Sequence, residues 1–204
     1  MRHDRDPGDP GARTAPGVVG VLALQGAVAP HRAAFAELAI DAVEVRTVGE
    51  LAAVDRLVIP GGESTTLHHL LVTEGMIEPL RERALARSIA LFGTCAGAIL
   101  LGRDRDDERP PRLGLLDVTV DRNAYGRQMD SFIGPVDYTP ALGGTAAEGV
   151  FIRAPRLREF GAAVEVLATR DGEPVAVRED RALACTFHPE LSADRRLHQL
   201  FLEL

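Results

Sequence analysis

The segment Ser88-Ile-Ala-Leu-Phe-Gly-Thr-Cys-Ala-Gly97 constrains this chain more than any other. An apolar run ends in Gly-Thr-Cys-Ala-Gly, and Ala98-Ile-Leu-Leu101 continues as a short helix. This is the thiol form of Gly-x-Ser-x-Gly, the nucleophile elbow, in which a strand turns sharply into a helix. Glycines at 93 and 97 leave room for the turn, because a side chain at either place would clash with neighbouring backbone. The turn points the Cys95 sulfur at a cleft. The helix start behind it offers unpaired N–H groups and a positive dipole end, and both favour a thiolate. A second reading of the same segment is a small buried residue in a strand-to-helix loop.

The surrounding pattern suits an elbow. Continuous apolar runs at 18–24, 43–46, 56–59 and 89–92 read as buried strands. Helices are expected over 30–38, 64–72 and 76–86, and this alternation predicts a mostly parallel sheet covered on both faces, a three-layer α/β/α sandwich. After Gly102 the character changes. Residues 103–112 form a charged, Pro-ended loop, and strand-like segments follow at 117–121, 131–136, 149–152, 164–169, 175–178 and 182–187. A last helix is expected over 193–201. The 204 residues suffice for one sizeable domain. Residues 18–204 are expected to be that domain. The polar, Pro- and Gly-rich residues 1–17 are expected to be a disordered extension. They lack the apolar core of a signal peptide, so the expected location is the cytoplasm.

A net charge of -7 without a basic stripe argues against a nucleic-acid partner. No apolar run approaches the roughly 20 residues that span a bilayer. Cys95 and Cys185 are too few for a disulfide framework. The chain has no lysine, so all 23 basic residues are arginine. It therefore cannot form a side-chain Schiff base with a carbonyl substrate or with pyridoxal phosphate.

Two further constellations carry chemistry. In Ala184-Cys185-Thr-Phe-His188-Pro-Glu190 a strand delivers His188 at its end. In extended backbone Glu190, two residues on, would point the same way. His188 can then face a nucleophile while Glu190 accepts from its other ring nitrogen and sets the tautomer. Cys185, three residues earlier, is expected on the opposite face as core packing. In Val58-Ile-Pro-Gly-Gly-Glu-Ser-Thr-Thr66 a strand ends in two glycines and enters a helix. Gly61 and Gly62 allow backbone N–H groups to face a ligand, as an oxyanion hole requires. Glu63 can meet an ammonium group, and the Ser/Thr run can cap the helix. No Gly-Lys-Ser/Thr follows, so this is no phosphate loop.

Together these segments resemble the class I, triad-type glutamine amidotransferases. Within that class the chain closely resembles the glutaminase subunits of pyridoxal 5′-phosphate synthase (the PdxT/SNO family), which serve the ribose-5-phosphate-dependent route to vitamin B6. Leu24-Gln-Gly-Ala27, Gly61-Gly-Glu-Ser-Thr-Thr66 and Phe151-Ile-Arg-Ala-Pro155 carry the closer likeness, and matching segments, Arg122-Asn-Ala-Tyr-Gly-Arg-Gln128 among them, run in order from Val18 onward. The resemblance implies a flavodoxin-like α/β fold with a nucleophile elbow. It implies Cys95 as nucleophile, His188 as general base and acid, and Glu190 as the orienting carboxylate. It further implies that Gly62, Glu63, Ser64, Arg122, Ile152 and Arg153 contact L-glutamine. The backbone N–H groups of Gly62 and Ala96 would be the oxyanion donors, and neither a cofactor nor a metal is implied. The implied partner is a (β/α)₈-barrel synthase subunit, twelve of which form a core carrying up to twelve glutaminase subunits. In relatives, docking organises the oxyanion half of the site. The first seventeen residues have no counterpart in the family pattern, and Leu204 falls somewhat short of where relatives end, which is expected to weaken docking or folding. A rival reading is a cysteine hydrolase or peptidase of the DJ-1/PfpI group. That group places a glutamate before the elbow and arranges its histidine differently, so His188-Pro-Glu190 argues against it.

Overall fold

Successive residues of the central strands enter two different cores, and this makes the molecule three layers thick. Leu22, Leu57, Ile59, Leu91 and Ala184 belong to one buried cluster. Their neighbours Val21, Val58, Phe92 and Cys185 belong to the other. A pleated strand buried on both faces produces this split. The computed structural model describes residues 17–103, 111–122 and 131–204. Of the expected N-terminal extension only Gly17 is among them, and most of the charged loop and of Arg122-to-Gln128 lies outside them.

In chain order the elements are β1 (Val19–Leu22), α1 (Val28–Glu37), β2 (Val43–Val45), α2 (Val48–Ala52), β3 (Arg56–Ile59), α3 (Ser64–Thr73), α4 (Ile77–Leu85), β4 (Ala90–Thr94) and α5 (Ala96–Leu101). Then come β5 (Val118–Asp121), β6 (Ser131–Tyr138), β7 (Ala146–Ile152), β8 (Arg156–Phe160), β9 (Glu165–Arg170), β10 (Glu173–Glu179), β11 (Ala182–Cys185) and α6 (Arg196–Glu203). A nine-stranded sheet has the order β2-β1-β3-β4-β11-β10-β9-β6-β7. Strands β2, β1, β3, β4 and β11 run parallel. From β11 outward the pairing is antiparallel. The core with Leu22, Leu57 and Leu91 takes Leu67 and Leu71 of α3, Leu80 of α4 and all the large residues of α5. The opposite core takes Phe35 of α1 and Leu197, Leu200 and Phe201 of α6.

Two elements depart from the sequence reading. Helix α2 was not expected, although Thr47 and Glu50 form a reciprocal capping box at its start. Strand β8 was not expected either. It pairs with β5 in a separate two-stranded sheet, and its Arg-Leu-Arg-Glu-Phe sequence buries only Leu157. Among the described residues no helix is long and apolar enough to cross a membrane.

Candidate active site

The parallel strands β3, β4 and β11 deliver the chemistry at one end of the sheet. Strand β4 hands over to α5 at Cys95, which sits at φ +50 and ψ -102. A non-glycine residue held there costs about 1–3 kcal/mol, and such strain persists only where the surroundings enforce it. Here they do. A Cβ on Gly97 would lie 1.9 Å from the Ile59 carbonyl oxygen, and one on Gly93 would lie 2.6 Å from the Gly97 carbonyl. The Cys95 N–H donates to the Cys185 carbonyl at 2.9 Å, which ties the elbow to β11. The sulfur, on a residue 7% exposed, faces the Ile152 carbonyl at 3.7 Å.

His188 arrives from the end of β11, and its N–H donates to the Val150 carbonyl at 2.8 Å. Its ring lies over Gly61, where a Cβ would come within 2.3 Å of Cε1. Its Nδ1 is 2.7 Å from Glu190 Oε1. The expected pairing is therefore present, but the expected backbone is not. Residues Pro189–Leu191 form a 3₁₀ turn, not an extended strand. The carboxylate is brought under the imidazole by this tight turn, which Pro189 opens with its fixed φ. Arg195 holds the turn by donating to the carbonyls of Pro189 and Ser192 at 3.2 and 2.6 Å.

The electrostatics follow from burial and contact. Burial opposes a charge on His188, but hydrogen bonds with Cys95 and Glu190, and the negative charge of each, carry its pKa up to about 10. Burial also works against the Glu190 carboxylate. The hydrogen bond from His188 leads the contributions that outweigh it, with the positive charge of His188 adding to them, and the pKa is lowered. The arrangement therefore favours an imidazolium against a carboxylate, with the sulfur beyond it.

The Gly61-Gly62-Glu63 turn forms the other wall. The Gly61 N–H is occupied by Thr94 Oγ1 at 3.0 Å. The Glu63 N–H donates to Gln25 Oε1 at 3.0 Å, and a Cβ on Gly62 would lie 1.8 Å from Gln25 Nε2. The helix cap corrects the sequence reading. Glu63, not a Ser or Thr, caps α3, accepting from the N–H groups of Thr65 and Thr66 at 3.0 and 2.7 Å. Burial raises its pKa, but these hydrogen bonds prevail and bring it to about 2. Glu63 is thus a fixed negative charge on the cleft wall.

A cleft of about 410 Å³ brings the expected residues together. Cys95, Ala96 and His188 line it beside Gly62, Glu63 and Ser64, with Ile152 and Arg153 at the end of β7 and Arg122 at the end of β5 completing it. Glu190 lies behind His188, buried at 6% exposure. Arg122 Nε is buried with no hydrogen-bond partner among the described residues, and Arg153 has φ +44. A larger cleft, about 600 Å³, opens at the other end of β4 and β11. It holds the Arg87–Asp180 ion pair, 2.5 Å long, but no nucleophile. Cys185 is fully buried, with its thiol 3.3 Å from the Phe187 carbonyl. Among the described residues no group of three or more His, Cys, Asp and Glu side chains could hold a metal ion.

Sequence reasoning passed over four residues at this site: Gln25, Thr94, His31 and His198. The two histidines carried a signal. Each falls on the apolar face of its helix, His31 with Ala34 and Phe35, His198 with Leu197 and Phe201. A histidine on such a face has to find its partners inside the protein.

Comparison with known proteins agrees with this geometry. Residues 21–204 match the SNO glutamine amidotransferase family. A protein of Mycobacteroides abscessus named pyridoxal 5′-phosphate synthase subunit PdxT is 51% identical over 189 residues, covering 92% of this chain and 96% of that one. Its namesake from Thermus thermophilus is 50% identical, covering 92% and 97%. A crystal structure of a glutamine amidotransferase superposes with a TM-score of 0.85 at 48% identity, covering 92% of this chain and 98% of the other. The PurLQS structure from Thermotoga maritima shares the fold at a TM-score of 0.68 and 15% identity.

Proposed function

The chain belongs to the SNO glutamine amidotransferase family, and from that premise we propose that it is the glutaminase subunit of a pyridoxal 5′-phosphate synthase. It hydrolyses L-glutamine to L-glutamate and ammonia and hands the ammonia to a synthase subunit for vitamin B6 synthesis. The observation that carries the reading is the convergence of an elbow cysteine, a histidine and a carboxylate on one glycine-walled cleft.

The chemistry follows from these groups. The Cys95 sulfur attacks the side-chain amide carbon of glutamine, and the oxygen takes up negative charge. The N–H groups of Gly62 and Ala96 stabilise that oxyanion; the Gly61 N–H is already committed to Thr94. Losing one such donor costs roughly 10²–10³-fold in rate. His188 protonates the departing nitrogen, the C–N bond breaks, and ammonia leaves a glutamyl thioester. His188 then takes a proton from water, which attacks the thioester and releases glutamate and the Cys95 sulfur. Proton transfer of this kind contributes roughly 10²–10⁴-fold. Glu190 holds the imidazole in one tautomer through both steps. Glu63, Ser64, Arg122, Ile152 and Arg153 position glutamine, the arginines being suited to its α-carboxylate and Glu63 to its α-ammonium.

Ammonia released into water is protonated and lost, so the acceptor has to be close. The chain has no lysine with which to form a sugar imine, so the acceptor chemistry belongs to another polypeptide. That partner is a (β/α)₈-barrel synthase subunit in a cytoplasmic complex of up to twelve copies of each chain, and its docking completes the oxyanion half of the site. Residues 18–204 form the amidotransferase domain. Ammonia release is measured with and without purified synthase subunit. Cys95→Ala is expected to abolish glutamine hydrolysis while synthesis driven by ammonium salts continues. Glutamine-dependent synthesis that survives the substitution would show that the nucleophile is misassigned.

A further inference from the structure

Behind the triad lies a second row of buried polar groups that the mechanism above does not use. His31 of α1 and His198 of α6 are both fully buried. His31 Nε2 is 3.4 Å from Glu190 Oε2 and 3.2 Å from Thr94 Oγ1. His31 Nδ1 is 3.2 Å from His198 Nε2. Among the described residues neither Glu190 Oε2 nor His198 Nδ1 has a hydrogen-bond partner, so the 3.4 Å approach of His31 to Glu190 is an ionic-range contact.

These contacts decide the tautomers. If Thr94 donated to His31 Nε2, the His31 proton would sit on Nδ1 and point at His198 Nε2. His198 would then carry its own proton on Nδ1, a buried donor with no acceptor, and Glu190 Oε2 would face a lone pair. Both defects cost free energy, at about 1–3 kcal/mol for each unmet group. The opposite assignment removes both. His198 donates from Nε2 to His31 Nδ1, and His31 donates from Nε2 toward Glu190 Oε2 and Thr94 Oγ1. The Thr94 hydroxyl, which then accepts from both His31 and the Gly61 N–H, is left without an acceptor among the described residues, so one unmet hydroxyl donor and a ring lone pair replace an unmet ring donor and a carboxylate facing a lone pair.

Resting on the glutaminase reading above, we propose that His31 is a positioning residue of the triad: a neutral imidazole, fixed in tautomer by His198, that donates to Glu190 Oε2 and holds the carboxylate in line with His188. His188 gives up a proton in the first half of the reaction and takes one up in the second, and the carboxylate beneath it has to stay charged and in place. A donor on the far oxygen does both. At 3.4 Å the contact falls short of a formed hydrogen bond in the unliganded site, and contacts of this kind tighten as charge develops. The groups facing His31 agree with a neutral ring. Phe35 and Phe92 surround the histidine pair. Burial, with His188 and Arg195, outweighs the pull of Glu190 and lowers the His31 pKa to about 4.

The test uses the complex with synthase subunit and follows ammonia release from glutamine. His31→Leu is expected to lower kcat about 10–100-fold, the scale on which outer hydrogen-bond partners act, with KM within twofold. His31→Gln, which keeps a donor and an acceptor, is expected to recover most of that loss. A His31→Leu enzyme with wild-type kcat overturns the proposal, as does a Gln variant that melts like wild type yet shows no recovery. A second measurement needs no variant. Nitrogen-15 NMR of histidine-labelled protein is expected to show Nε2–H on both His31 and His198 at neutral pH, and Nδ1–H on either overturns the proposal. Wild-type complex that releases no ammonia would instead sink the parent reading, so the two failures are distinct.

Discussion

The two halves of the sheet meet at the cleft and are built by different means. On the parallel side, Cys95 is fixed by backbone approaches at Gly93 and Gly97 that admit only glycine, and the Gly61–Gly62 turn packs directly against the His188 ring and the Gln25 side chain. The ionisable groups behind them are buried. On the antiparallel side, the polar contacts lie at the surface. Arg178 reaches Glu165 at 2.5 Å with about a third of its side chain exposed, and Arg158 lies 3.8 Å from Asp121 with both side chains about two-fifths exposed. Exposed pairs of this kind are each worth about 0–1 kcal/mol. Bond-making groups thus sit where glycines and buried polar groups fix them, and the proposed glutamine-positioning groups Ile152 and Arg153 follow from the end of β7. Catalysis loses rate steeply with small misplacements, and the division fits that demand.

The contrast is sharpest at the glycines. Gly97→Ala would place a Cβ 1.9 Å from the Ile59 carbonyl, which is backbone and cannot swing aside. The expected loss is about 3 kcal/mol or more, with glutaminase activity falling together with the melting temperature. Gly172→Ala, in the β9–β10 turn, meets nothing within 4 Å and suffers only from its φ of +78. About 1 kcal/mol is expected there, with activity retained. Denaturant melts of the two variants compare them directly. Equal losses would mean that the elbow is no more constrained than a surface turn.

Much of the rigid half was legible in advance. Gly-Thr-Cys-Ala-Gly and the strand before it specify a turn that only one local geometry satisfies, and His188-Pro-Glu190 supplies its partner. What the sequence left open was how long-range packing would use residues with more than one option. Glu63 reads as a ligand group because it follows two glycines, yet its carboxylate caps α3. Glu190 reads as strand-borne, yet Pro189 and Arg195 wind it into a 3₁₀ turn. His31 and His198 are 167 positions apart, so no local pattern could pair them. Helix α2 is a different kind of miss, since its capping box was present in Thr47 and Glu50 and the helix is only five residues long.

Burial of the histidine pair also predicts how the molecule fails in acid. Burial lowers the pKa of His31 to about 4. It lowers that of His198 to about 3, with His31 and Arg195 adding to the shift. An unfolded histidine titrates near 6.5. Between about pH 4 and 6.5 the unfolded chain therefore binds protons that the folded chain refuses, and stability rises with pH across that window. Each histidine contributes a slope of up to about 1.4 kcal/mol per pH unit. His188 has the opposite sign. Its raised pKa gives stability that is complete below about 6.5 and lost as pH rises toward 10. His198→Phe is expected to remove about half of the acid slope attributable to the pair, read from urea midpoints at pH 4.5 and 6.5. An unchanged slope would mean that this ring is already charged or solvated in the folded protein.

The smallest expected effect lies on the antiparallel side, and it separates binding from folding most cleanly. Arg153 holds φ +44 at the end of β7, a conformation that glycine adopts without strain. Strain at such a residue costs about 1–3 kcal/mol, and part of the relief is returned as entropy of the more flexible unfolded glycine. Arg153→Gly is therefore expected to leave stability unchanged or raise it by up to about 1 kcal/mol. If its guanidinium meets the glutamine carboxylate, a charge-assisted hydrogen bond worth about 1.5–3 kcal/mol is lost, and KM rises at least about tenfold while kcat changes little. The strain would then be the cost of aiming a cation into the cleft. A more stable variant with unchanged KM would place the arginine outside the binding machinery and leave Arg122, whose buried Nε has no partner among the described residues, as the carboxylate's counter-charge.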